Sequence, residues 1–307
     1  MGRPAAAFVI NPTRLRDPRG FERRAQAAAR EHGWDAWFAE TTGADGGHAP
    51  TRRALAAGAG LVFAAGGDGT VRACAGALAG TGVPLAIVPL GTANLTARAL
   101  RVPARAGRAI DAAFGGRNRR IDLGRVDEAG AGAGGTGTGG LVFAAMAGIG
   151  LDAAVVGAAR PDTKRWLGWV AYAASGVMRL RRPACDFTVR VDDREPVRRR
   201  AQCVVVGNAG LLPGGFILLP EARLDDGRLD VGILAPSGAW GWLRAGGRVL
   251  TRVRGQDRTL ERWPARQVEI SADTDQPRQV DGEIVTPGRV LRASVWPGAL
   301  VVRLAAD

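Results

Sequence analysis

The sequence predicts an α/β protein in which a parallel-sheet region is followed by a mainly antiparallel one. Three observations carry this. Short apolar runs without twofold alternation are spaced by helical stretches over the first hundred residues, the pattern of a parallel sheet covered on both faces. Two of those runs end in tight glycine turns, Gly66-Gly67-Asp68-Gly69-Thr70 and Leu90-Gly91-Thr92-Ala93-Asn94. From about residue 121 the pattern changes, beginning with the alternating stretch RRIDLGRV at 119–126.

In chain order, residues 5–10 read as a first strand and 21–32 as a helix stopped by Gly33. Strand 34–38, helix 48–57 and strand 61–65 follow, then helix 70–78, strand 85–88 and a helix over 92–100. Ligands of such sheets sit at the carboxyl ends of the strands, where both glycine turns fall. In the second half, strands are expected at 119–126, 141–146, 187–191, 202–207 and 228–234. Further strands are expected at 268–271, 278–280 and 290–295, with a last run at 300–304 that could pair in either region. The glycine-rich stretch 129–140 reads as a flexible hairpin loop and lacks the GK[ST] ending of a P-loop. Helical insertions are expected at 164–180 and 239–253. The domains are therefore placed at 1–120 and 121–290, with closing strands at 291–307.

At 307 residues the chain can build two domains with substantial cores. Its net charge of +13 favours anionic partners: nucleic acid, a membrane surface or a phosphorylated substrate. Arginine so outnumbers lysine, of which Lys164 is the single one, that the excess also reads as a compositional bias. Cys74, Cys185 and Cys203 are far apart and lie in apolar or strand-like settings, as buried free thiols in a reducing compartment would. The apolar start is too short for a signal peptide. No stretch approaches the roughly 20 apolar residues needed to cross a bilayer, so a soluble or peripheral, cytoplasmic protein is expected.

Chemistry is expected at four places. Backbone N–H groups exposed in a glycine turn can hold phosphate, and Asp68 can reach a phosphate-bound cation, or it can simply cap its own loop. Thr92 and Asn94 stand at a helix start, where free N–H groups favour phosphate as readily as an ordinary cap. Asp281-Gly282-Glu283 lies between two strand-like runs. Asp-Gly suits a plain hairpin, while two carboxylates at this spacing suit a metal ligand and a general base. The acidic stretch from Glu221 to Asp230 could hold a hard cation or be a hydrated turn. The tryptophan–arginine stripes at 164–180 and 240–250 read as core packing or as contact with anionic lipid.

Taken in order, these motifs resemble the diacylglycerol kinase catalytic-domain family, which includes bacterial lipid kinases and sphingosine kinases. The resemblance rests on GGDGT at 66–70, PLGTANLTARAL at 89–100, IDLGRV at 121–126 and MAGIGLDA at 146–153. VVVGNAG at 204–210, LDDGRLDV at 224–231 and VDGE at 280–283 extend it. It implies an N-terminal nucleotide-binding α/β domain, a C-terminal antiparallel β-sandwich, and an active site in the cleft between them that takes ATP and Mg²⁺. Nucleotide contacts would come from Thr42, Gly66, Gly67, Asp68, Gly69, Thr70, Gly91, Thr92 and Asn94. Asp68 and Asp122 would belong to the metal and phosphate network. Glu283 would be the proton acceptor, with Asp281 supporting it. A structural Mg²⁺ would take the carboxylate of Asp226 and the carbonyls of Arg223 and Arg228. The chain departs from the family pattern after Asn11-Pro12, where Ser-Gly is missing, at Leu95 in place of an aspartate, and at Arg72-Ala73 in place of Asn-Glu. Arg72 could meet phosphate instead.

The reading that follows is phosphorylation of a lipid hydroxyl, generically that of diacylglycerol, at an anionic membrane surface. A kinase of a soluble acceptor, in the manner of NAD kinase, is the enzymatic alternative. A weakly active lipid- or nucleic-acid-binding module is the other, and retained Asp68 and Glu283 argue against it. A homodimer is compatible with all three.

Overall fold

The computed structural model describes residues 2–43, 45–127, 140–150, 184–212, 217–236, 241 and 260–306. The chain divides into two compact units, Met1–Ile121 with Gly298–Asp307, and Asp122–Pro297. The expected loop at 129–140, apart from residue 140, and the expected helix at 164–180 lie outside the described residues, as does the expected helix at 239–253 apart from residue 241.

In the first unit, strands β1 (Ala5–Ile10), β2 (Asp35–Glu40), β3 (Leu61–Gly66) and β4 (Leu85–Pro89) alternate with helices. These are α1 (Pro18–Glu31), α2 (His48–Ala56), α3 (Asp68–Leu78), α4 (Leu95–Ala99) and α5 (Ala106–Phe114). The sheet is parallel in the order β2-β1-β3-β4. All residues of β3 and β4 are buried, which is why their sequences show no alternation. Asp17 starts α1 by accepting from the Gly20 N–H at 2.9 Å, with Pro18 at the first helical position. Phe21, Ala25, Ala28 and Ala29 then recur on one face and pack on the sheet. At its centre Phe8 stacks on Phe63 with ring centroids 4.2 Å apart. Helix α5 adds an element beyond those expected, burying Ala109, Ile110, Ala113 and Phe114 in the same core region.

The chain leaves this unit along β5 (Arg117–Asp127) and returns to it at the end of the sequence. Between lie β6 (Gly140–Phe143), β7 (Met146–Ile149), β8 (Cys185–Val191), β9 (Val197–Ala201) and β10 (Cys203–Gly207). Next come β11 (Leu229–Leu234), β12 (Leu260–Ala265), β13 (Gln267–Val280) and β14 (Glu283–Leu304). Within the second unit the registered pairs β10·β11, β10·β7, β11·β12, β13·β7, β13·β8, β13·β14, β5·β6 and β8·β9 are all antiparallel. The inward residues of β8, Cys185, Phe187, Val189 and Val191, alternate with outward ones. They share one apolar core with Val204, Val206, Val231, Ile270, Val280 and Leu291.

Four expectations change here. The run at 141–146 is two strands, because residues 144 and 145 break the ladder. The runs at 268–271 and 278–280 are one strand with register shifts, and those at 290–295 and 300–304 are also one. Strands β9 and β12 were not foreseen. The helix start expected at 92 moves to Leu95, because Asn94 sits in the left-handed region at φ 48°, which ends a turn and does not lie inside a helix.

Candidate active site

The two glycine turns of the first unit meet backbone to backbone. A Cβ on Gly91 would lie 2.6 Å from the Gly67 Cα, so no side chain fits at position 91. Asp68 ties the turns together. Its Oδ1 accepts from the Leu95 N–H at 2.7 Å and from the Thr96 N–H at 3.4 Å, capping α4 from 27 residues away in sequence. Burial raises its carboxyl above the ordinary range, and the amides of Leu95, Thr96 and Asn94 and the charge of Arg98 oppose that rise. Asn94 braces its own turn: Oδ1 accepts from the Gly91 N–H at 3.0 Å, and Nδ2 donates to the Gly91 carbonyl at 2.7 Å. Thr70 is buried, its side chain over Gly66, and Arg72 is half-buried, whereas Thr92 and Thr42 are exposed. Thr42 donates its N–H weakly to Asp45 Oδ1 at 3.4 Å.

Helix α3 begins at Asp68 with no side-chain hydrogen bond at its cap residue, Gly67. Its first N–H groups are therefore not occupied by a cap, and a helix start of this kind suits a phosphate oxygen. The residues present fit the triphosphate of a nucleotide. The first turn after β1 does not offer the same: Asn11 Oδ1 is taken by the N–H and hydroxyl of Thr13 at 3.2 and 2.8 Å.

In the second unit the carboxylates at 281 and 283 divide. Asp281 is buried and its carboxylate accepts three backbone N–H groups: Ala144 at 2.8 Å, Ala145 at 2.9 Å and Met146 at 2.9 Å. Its own N–H donates to the Met146 carbonyl at 2.7 Å. This is why 144–145 interrupts the strand: those amides serve Asp281 and not a ladder. Asp281 and Gly282 both have positive φ, 48° and 83°, as a two-residue hairpin of this type requires. Glu283 leaves the turn opposite Val280 and is exposed.

Asp122 is brought to the acidic loop. Its Oδ2 accepts from the Gly227 N–H at 2.6 Å and its N–H donates to the Leu224 carbonyl at 2.6 Å. Asn208 Nδ2 donates to the carbonyls of Asp122 and Ala144 at 2.8 and 3.1 Å. Sequence reading passed over Asn208 except as part of a motif; the signal was a lone amide after a fully apolar strand. Asp226 is exposed and accepts from the Arg228 N–H at 3.1 Å, while Arg223 pairs with Asp225 at 3.7 Å. Asp230 is pushed up to about 6, first by burial and then by the charges of Asp226 and Glu221. Crowded carboxylates together with loop carbonyls are a fitting donor set for a hard divalent cation. Among the described residues no group of three His, Cys, Asp or Glu side chains is spaced to hold a metal by themselves.

Two family models together cover nearly the whole chain. The diacylglycerol kinase catalytic domain matches residues 5–126, and the YegS C-terminal NAD kinase beta sandwich-like domain matches residues 145–304. The chain thus belongs to the YegS-like branch of the bacterial lipid-kinase family, with an N-terminal catalytic-type domain and a C-terminal β-sandwich. Its relatives include proteins described as "Probable lipid kinase YegS-like". One from Pseudomonas fluorescens (strain Pf-5) is 35% identical over 93% of this chain and 91% of its own. One from Pseudomonas aeruginosa (strain PAO1) is 36% identical over 92% and 89%. A diacylglycerol kinase from Bacillus anthracis str. Sterne shares the fold with TM-score 0.70 at 20% identity, over 99% of this chain and 98% of that one. An NAD kinase from Archaeoglobus fulgidus in complex with ATP shares it more distantly, with TM-score 0.52 at 12% identity over 98% and 94%.

Proposed function

We propose that the protein is an ATP-dependent lipid kinase that transfers the γ-phosphoryl group to a lipid hydroxyl, with diacylglycerol or a related lipid as acceptor. The observation that carries this reading is the division of labour in the Asp281–Glu283 turn, found in a chain of the lipid-kinase family. One carboxylate is buried and accepts three backbone N–H groups, and the next stands exposed at the surface, where an acceptor hydroxyl can reach it.

In this reading the N–H groups at the start of α3 and the turn around Gly91 hold the phosphates, with Thr42, Thr70, Arg72 and Thr92 beside them. Asn94 and Asp68 keep the two turns together, and Asp68 also faces the metal and phosphate network. Glu283 removes the proton of the acceptor hydroxyl as that oxygen bonds to phosphorus and the bond to the leaving diphosphate breaks. Asp281 fixes where Glu283 stands. Mg²⁺ bound with ATP supplies neutralisation of the phosphate charge. Asp226 and the carbonyls of Arg223 and Arg228 would hold a second Mg²⁺, and Asp122 anchors that loop through the Gly227 N–H. No helix among the described residues is long and apolar enough to cross a membrane, and the excess of arginine suits transient contact with an anionic bilayer.

The test is transfer of label from γ-labelled ATP to diacylglycerol, sphingoid base, ceramide and phosphatidylglycerol, each presented in vesicles and in dispersed form. A lipid kinase labels at least one of them and works faster at the vesicle surface. Labelling of NAD or a polyol alone, indifferent to vesicles, would replace this reading with the soluble-acceptor one.

A further inference from the structure

Gln279 lies one residue before Val280 on β13, on the opposite face of the strand, and is fully buried. Its Oε1 accepts a hydrogen bond from the Gly282 N–H at 2.8 Å. A backbone N–H can only donate, so this bond fixes which end of the amide is which. The other end, Nε2, is buried and has no hydrogen-bond partner among the described residues. An unsatisfied buried donor is costly, and methionine, of the same length and without a donor, would fill the position more cheaply. The neighbouring strand makes room for the amide: Gln279 pairs with Gly148 of β7, and a Cβ there would stand 3.3 Å from Nε2.

The Gly282 N–H belongs to the peptide joining Asp281 to Gly282, the central peptide of the turn that leads into Glu283. The Asp281 carboxylate anchors one side of that turn to residues 144–146. The Val280–Glu283 pair and the Asp281 N–H to the Met146 carbonyl hold the ends of the turn, but neither engages the Gly282 N–H, so the central peptide would still be free to rock and to tilt Glu283. Gln279 supplies the missing restraint from within its own hairpin.

We infer that Gln279 is a positioning residue for the phosphoryl-transfer reaction. Its amide oxygen clamps the Asp281–Gly282 peptide and so sets the direction in which Glu283 is presented, and the unpartnered Nε2 is what this clamp costs the fold. The role in catalysis rests on the proposed function, in which Glu283 is the base; the clamp itself rests on the geometry alone.

The experiment is Gln279→Met in the full chain, read in three ways: hydrogen exchange at the Gly282 amide, thermal midpoint, and kcat and KM for ATP on phosphatidylglycerol vesicles containing diacylglycerol. The expected result is exchange at Gly282 at least tenfold faster, with a thermal midpoint unchanged or raised. With it, kcat falls tenfold or more while KM for ATP stays within twofold. A purely structural residue would instead lower the midpoint and loosen β13 and β14 together, and that outcome overturns the proposal. So does an unchanged kcat or unchanged protection at Gly282. If the wild-type protein labels no lipid in these vesicles, the kinase reading fails separately, and exchange at Gly282 decides the clamp by itself.

Discussion

Asp281 and Glu283 stand two residues apart and should respond to substitution in opposite ways. Asp281 is buried with three backbone N–H groups on its carboxylate, so Asp281→Asn leaves at least one of them facing a donor. Breaking such a buried network costs roughly 2–4 kcal/mol, and calorimetry should show a clear fall in thermal midpoint together with lost activity. The residues alone do not divide the pair, because DGE is equally a plain hairpin and a catalytic turn; only the family resemblance gives Glu283 the proton and Asp281 the supporting part. What separates the two is the gap at residues 144–145, more than a hundred residues earlier in the chain, and no local pattern reports a long-range acceptor. Asp68 was legible as a polar group among glycines, but its service to the Leu95 and Thr96 amides was not, for the same reason. Asp122 was expected beside Asp68 in the phosphate network on resemblance, and its carboxylate is found holding Gly227 of the acidic loop.

Among the elements, the parallel half was legible because β1, β3 and β4 are so uniformly apolar that only a doubly covered sheet can use them. Boundaries slipped where turn chemistry overrode periodicity, as at Asn94. The antiparallel half was harder. Strand β9, VRRRA, carries three consecutive arginines and has no apolar face to announce it; it forms because β8 offers it a ladder. Its middle arginine, Arg199, is held by Glu261 at 2.7 and 3.2 Å. The meeting of the two glycine turns makes its own prediction. Gly91→Ala would push a methyl group into the Gly67 backbone and cost about 1–3 kcal/mol by overpacking. Since the displaced turns are those assigned to phosphate, KM for ATP should rise well before the fold is lost. Equal KM values for wild type and variant would detach these turns from the nucleotide.

At the scale of the whole molecule, the composition isolates one titration. With one lysine and one tyrosine in 307 residues, few groups besides the thiols change charge between pH 9 and 11. Burial pushes Cys74 and Cys203 up to about 12 from an ordinary value of 9.0. The folded values lie above the unfolded one, so unfolding releases protons as soon as the pH passes 9. The stability held by these neutral thiols is whole below pH 9 and is lost progressively as pH rises toward 12. Denaturant midpoints should therefore fall from pH 9 to 11, and Cys74→Ala with Cys203→Ala should flatten that slope whatever it does to stability at neutral pH. The central claim, that an exposed carboxylate on a braced turn takes the acceptor proton, is tested most directly by Glu283→Gln. The account predicts a loss of phosphoryl transfer of about 10²- to 10⁴-fold, with ATP binding and thermal midpoint unchanged. Transfer at the wild-type rate from the folded variant would contradict it.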